Sequence, residues 1–183
     1  QWTTDHFTIS WDTDGDGVVD DTTQVDYDVV PTHADGSKAE DAQYTYTFAG
    51  WDPEPTAANV DTTYTAKFNT TTKKYYVRWV PSDWNGDDNT VYSKRLFEYG
   101  SNPVYSGTNN PTKPADKGYA YVFKEWVKES GLDANGKVIG EAVLRASFTA
   151  VPRKYTVTWY DEDGSTVLKA NDLCDYGAEP VYT

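Results

Sequence analysis

The 183-residue chain carries 29 acidic against 16 basic residues, a formal charge of −13, which repels nucleic-acid phosphates and an anionic membrane surface. Fifteen Tyr and seven Trp with no Met favour pleated, half-buried sheets over leucine-faced helices. No run approaches the roughly 18 apolar residues of a membrane helix, and the single cysteine, Cys174, excludes an internal disulfide and reads as a small buried apolar residue.

The chain opens with Phe7-Thr-Ile-Ser-Trp11, whose alternation is that of a strand with one buried face. The same alternation returns at Tyr75-Tyr-Val-Arg-Trp79 and Tyr155-Thr-Val-Thr-Trp159. Turns follow each opener, at 12–21, 81–89 and 161–165, built from Asp, Asn, Gly, Pro and Ser. A second strand then reaches Tyr27, Tyr99 or Tyr176, each four residues before Pro31, Pro103 or Pro180, where proline stops the ladder. Polar connectors come next, at 32–43 and 106–118, read as loops with one helical turn at Lys38–Ala42. Out of them rise Tyr44-Thr-Tyr-Thr-Phe48 with Trp51, and Tyr119-Ala-Tyr-Val-Phe123 with Trp126. Rings at every second position share one face of a strand. Further polar loops, at 52–61 and 128–140, lead to closing strands that contain Ala66-Lys-Phe68 and Ala146-Ser-Phe148.

These correspondences form an internal repeat. From Thr65 to Trp79 and from Arg145 to Trp159, at an offset of about eighty residues, Ala, Phe, Lys, Tyr, Val and Trp recur in one ungapped register. The fold class is therefore mostly β, α+β at most. Its domains are two complete units, 1–71 and 72–151, and a truncated third, 152–183. Trp11, Trp51, Trp79, Trp126 and Trp159 hold repeated positions and are expected in the cores. The open edge of the truncated unit leaves self-association as an expectation.

The second unit's Glu98-Tyr-Gly100 with Pro103, Pro111-Thr-Lys113, Gly118-Tyr119, Phe123-Lys-Glu-Trp126 and Ala146-Ser-Phe148 resembles the Listeria–Bacteroides repeat, also called the InlB B-repeat, of bacterial surface proteins. The first unit keeps Phe48-Ala-Gly-Trp51 but lacks Gly after Tyr27 and Gly-Tyr before its aromatic strand. The third opener, Lys154 to Gly164, is also similar to the start of mucin-binding repeats. What these resemblances imply is tandem β-grasp or ubiquitin-like units outside the cell, cell-wall-attached or secreted, with a spacer or adhesive role. Host glycoproteins, glycans or other surface proteins are the implied partners.

Two stretches offer chemistry. Asp12, Asp14, Asp16, Val18 and Asp20 stand at positions 1, 3, 5, 7 and 9 of a calcium loop, with Gly17 at position 6. Position 12 is Thr23 where a bidentate carboxylate belongs, so a solvated acidic turn competes with calcium. Trp84, in a turn rather than on a repeated strand position, is a candidate ring for stacking on a sugar or partner, or else a lid on its own core. His6, His33 and Cys174 share no metal spacing, and no nucleophile or phosphate motif occurs. The expectation is a non-catalytic region without a resident cofactor other than that candidate calcium. It would serve as stalk and adhesion module, with a specific binder or a calcium-rigidified connector as alternatives.

Overall fold

The computed structural model describes residues 5–183, so the first four residues of the expected first unit lie outside the described residues. Strands β1 (His6–Asp12), β2 (Asp21–Asp26), β3 (Tyr44–Asp52) and β4 (Thr62–Thr72) form one sheet in the order β2-β1-β4-β3. Strands β5 (Lys74–Val80), β6 (Ser93–Glu98), β7 (Tyr119–Leu132) and β8 (Val138–Pro152) repeat it as β6-β5-β8-β7. β9 (Lys154–Tyr160) and β10 (Val167–Asp175) form a two-stranded hairpin. The chain divides into two compact units, Gln1–Lys74 and Tyr75–Thr183, the hairpin clustering with the second. Among the described residues there is no α-helix, only a 3₁₀ turn at Asp88–Thr90, so the class is mostly β.

In each unit the central pair is parallel. β1 runs beside β4 from Ile9↔Thr62 to Asp12↔Thr65, and β5 beside β8 from Val77↔Ala142 to Val80↔Arg145. Parallel neighbours require a crossover, and the polar connectors with β3 or β7 supply it.

The recurring Phe-x-x-Trp has a geometric cause. Residues three apart on a regular strand face opposite sides. Both aromatic strands shift register within this motif, between Phe48 and Gly50 and between Phe123 and Glu125. The extra residue of such a bulge brings both rings to one side. Phe48 and Trp51 then lie 5.4 Å apart between centroids, and Phe123 and Trp126 lie 5.3 Å apart.

In the first unit the core gathers Ile9, Trp11, Ala58 and Tyr64, with Phe7, Val25 and Trp51 packed against them. Trp11 stacks on Tyr64 at 5.0 Å and meets the edge of Trp51 at 4.8 Å. The second gathers Val77, Trp79, Val138, Ala142 and Leu144, with Tyr105 and Trp126. Trp11 and Trp79 are fully buried, whereas Trp51, Trp126 and Trp159 are half-buried. Trp159 has a two-stranded sheet to cover it, and its indole N–H donates to Asp172 at 3.3 Å. Cys174 is also only half-buried.

Two expectations are corrected. The helical turn at Lys38–Ala42 is absent. The Asp41 carboxylate instead accepts the Gln43 and Tyr44 N–H groups, each at 2.7 Å, which leads the chain straight into β3. Ser37 N–H is held by the Thr13 carbonyl and Asp41 N–H by the Tyr44 carbonyl, at 2.9 and 3.1 Å. The expected loop at 128–140 is mostly strand: β7 and β8 continue pairing from Lys128↔Leu144 to Leu132↔Val138, with register shifts. The turn between them is only Asp133–Lys137, where Asp133 accepts from the N–H groups of Asn135 and Lys137.

Candidate functional site

The acidic loop begins where β1 ends. Asp12 is 2 % exposed, and its carboxylate accepts three loop N–H groups: Gly15 at 2.8 Å, Asp16 at 3.2 Å and Gly17 at 3.0 Å. To wrap around one carboxylate the backbone takes left-handed conformations at Gly15 (φ +72°) and Gly17 (φ +90°), which glycine adopts without a Cβ clash. Asp20 closes the other side, accepting the Thr13 N–H and hydroxyl, each at 2.7 Å. Those bonds, the hydroxyl's foremost, hold its carboxyl below the usual range.

Carboxylate oxygens of Asp12, Asp14 and Asp20 all lie within 4.8 Å of one another. Two oxygens on opposite sides of a calcium ion stand about 4.8 Å apart, twice the usual bond length, so these three can share one hard cation. The Asp16 carboxylate does not join the group. It turns to the Val18 N–H at 2.8 Å, and Val18 is 62 % exposed. The second half of a calcium loop is replaced by sheet, because β2 starts at Asp21. Thr23, at position 12, accepts the Trp11 indole N–H at 3.0 Å.

Trp84 is half-buried and tied down. Its indole N–H donates to the Asp87 carbonyl at 2.8 Å, and its own carbonyl accepts from the Arg145 guanidinium at 3.2 Å. Arg145 also reaches the carbonyls of Pro81 and Ser82, so one side chain on β8 latches the whole β5–β6 loop. The polar edge of Trp84 is thus committed within its own unit.

Sequence reasoning weighed His33 only as a metal ligand and missed its packing role: its ring lies against Trp11 at 4.9 Å and Trp51 at 5.6 Å. Tyr105 does the same in the second unit, at 5.8 Å from Trp79 and 5.0 Å from Trp126. Both stand two residues after the turn-out proline, a register that would have revealed them. It also passed over Asp41 and Asp116, each three residues before the first Tyr of the aromatic strand.

No family model matches the chain, and no curated protein does. Among solved structures, the chain is similar to Streptococcal High Identity Repeats in Tandem (SHIRT) domains 3-4 from a cell surface protein, at 14% identity and a TM-score of 0.33, covering 80% of this chain and 99% of that one. That superposition is too slight to say what this chain does.

Proposed function

We propose that the chain is a non-catalytic, extracellular repeat region of a bacterial surface protein, built of β-grasp-like units and acting as stalk and mount for adhesion. The observation that carries it is the parallel central pair of each unit. The chain enters a unit at β1 or β5 and leaves it at β4 or β8. Tension along the chain therefore loads neighbouring strands in shear, and their hydrogen bonds must fail together rather than one by one. A sheet ordered 2-1-4-3 around such a pair also supports the β-grasp reading, with extended connectors where a helix would pack. Repeated residues are packing or turn residues, while the loops differ between copies, as in scaffolds that carry binding surfaces. Antibody raised against the purified chain is expected to label intact cells of the source organism, with labelling lost after surface proteolysis. Labelling only after lysis contradicts the proposal.

Convergence of Asp12, Asp14 and Asp20 favours a second reading, calcium as a stiffener of the first unit. Thermal unfolding in EDTA and then in millimolar calcium is expected to show a rise of several degrees, abolished by Asp14→Ala with Asp20→Ala. An unchanged midpoint leaves the loop a solvated turn.

A further inference from the structure

The two units differ where the β1–β2 and β5–β6 loops lie against the closing strand. In the first unit that crossing is filled. A Cβ at Gly15 would stand 2.8 Å from the Ala66 carbonyl and 3.6 Å from the Phe68 ring, and one at Gly36 would stand 2.6 Å from the Ala66 Cβ. Only residues without side chains fit there. In the second unit the matching residues, Ala146 and Phe148, line an open cleft of about 320 Å³ with Ser82, Lys113, Glu129 and Ser147.

We propose that this cleft binds one saccharide ring of a glycan, and that it is the second unit's own contribution to adhesion. Its volume lies at the lower end of small-ligand sites, which combine apolar walls with a few fixed polar groups. The apolar wall is Phe148 with Val127, suited to the C–H face of a pyranose. The fixed polar group is Glu129, whose two carboxylate oxygens each accept one guanidinium N–H of Arg145, the second at 3.1 Å. An ionised carboxylate has about four acceptor sites. Two are used by Arg145, and the others remain for sugar hydroxyls.

Arg145 is itself held by three loop carbonyls, so Glu129 is oriented before any ligand arrives. Neither the Ser82 nor the Ser147 hydroxyl bonds to another described residue, which leaves both to pair with a ligand. The paired charges of Glu129 and Arg145 cancel locally, which favours a neutral polyol over an ion. Lys113, whose ammonium rests over the Tyr121 ring at 4.1 Å, stands at the rim, where an acidic substituent on the sugar would meet it. None of this requires the stalk role, so the two proposals fail separately.

The test is amide chemical-shift mapping on the whole chain, titrated with methyl glycosides of glucose, galactose, mannose, N-acetylglucosamine, fucose and sialic acid. At least one glycoside is expected to shift Glu129, Ser147 and Phe148 saturably at millimolar concentration. Glu129→Gln is expected to weaken it about tenfold, the loss of a hydrogen bond to a charged group. Because Glu129→Gln could also disturb the Arg145 latch, Ser147→Leu is the control. It narrows the cleft without touching the latch and is expected to abolish binding while the unfolding midpoint stays unchanged. No saturable shift with any glycoside, shifts confined to other residues, or binding unaffected by Ser147→Leu each overturn the proposal.

Discussion

The Tyr121 hydroxyl donates to the Asp116 carboxylate at 2.7 Å, five residues back along the chain, and the Tyr46 hydroxyl donates to Asp41 at 2.6 Å in the same way. Each carboxylate also takes two backbone N–H groups at the entry to the aromatic strand: Gly118 and Tyr119 in one unit, Gln43 and Tyr44 in the other. The device fixes where the connector stops and the sheet resumes, and both copies keep it although their connectors differ.

Its consequence is a sensitivity to pH at both ends. The phenol bond, then the backbone bonds, hold Asp41 and Asp116 below their ordinary 3.8, and hydrogen bonding to the carboxylate raises Tyr46 and Tyr121 above 10.0. A depressed acid stabilises the fold above its unfolded value and loses that contribution as pH falls through the folded one. A raised phenol does so below its unfolded value and loses it as pH rises. Tyr121→Phe is expected to return Asp116 toward 3.8 and to speed amide exchange at Gly118 and Tyr119. Carbon-detected titration of the carboxyl checks the first, and an unmoved Asp116 would refute the clamp.

Arg78 sits between two acids, bonding Asp88 at 2.8 Å and Glu141 at 2.6 Å, while Lys94 reaches Asp88 at 2.6 Å. Asp88 is lowered to about 2, chiefly by Arg78 and then by Lys94. Its stabilising contribution is therefore whole above 3.8 and disappears as pH falls toward about 2. Asp88→Asn is expected to lower the second unit's stability at neutral pH and to flatten its acid limb in that window, so that the variant and the parent converge as pH falls toward about 2. Urea unfolding at stepped pH reads this directly.

Gly118 is a glycine for reasons of space. A Cβ there would stand 2.5 Å from the Tyr176 ring, which meets Tyr119 at 5.9 Å. Tyr176 N–H is held by the Arg153 carbonyl, and Arg153 N–H by the Gly118 carbonyl, each at 2.8 Å. The β9–β10 hairpin thus rests on the second unit through the Tyr176 ring, these two backbone bonds and the Tyr155 hydroxyl, which donates to the Lys117 carbonyl. Gly118→Gln, the residue at the matching place in the first repeat, is expected to expel Tyr176. Hydrogen exchange in β9 and β10 would then rise, while β5 to β8 stay protected.

Trp11→Ala removes a fully buried indole, a change that costs about 3–5 kcal/mol in a packed core. A core this thin is expected to unfold at room temperature. Amide spectra should show the first unit collapsed to random-coil positions with the second unit's dispersion retained. Loss of both sets of signals would mean that the units do not fold separately.

Most of the strand plan was legible in the sequence because aromatic alternation with period two survives in every copy. The openers at Phe7, Tyr75 and Tyr155 each begin one residue inside the strand that contains them. The tip of the second unit was not legible. Lys, Glu, Ser and Gly at 128–131 look like a loop, but cross-strand pairing with β8 overrides that composition. Connector residues 38–42 include Lys, Ala and Glu, which favour helix, but the local Asp41 bonds win over a propensity worth only tenths of a kcal/mol per residue. In the acidic loop, carboxylate oxygens of Asp12, Asp14 and Asp20 converge at the first, third and ninth positions of the calcium-loop spacing. The Asp16 carboxylate turns instead to the Val18 N–H, and β2 begins at Asp21, before the loop's twelfth position is reached.

The mechanical claim is tested most directly by pulling a single molecule from its two termini. Shear loading of β1 against β4 and of β5 against β8 predicts two abrupt events at high force. Each would release on the order of 200 Å of chain, the extended length of His6–Thr72 or Lys74–Pro152 less its folded span. Gradual extension at low force, without discrete events, would contradict a load-bearing stalk.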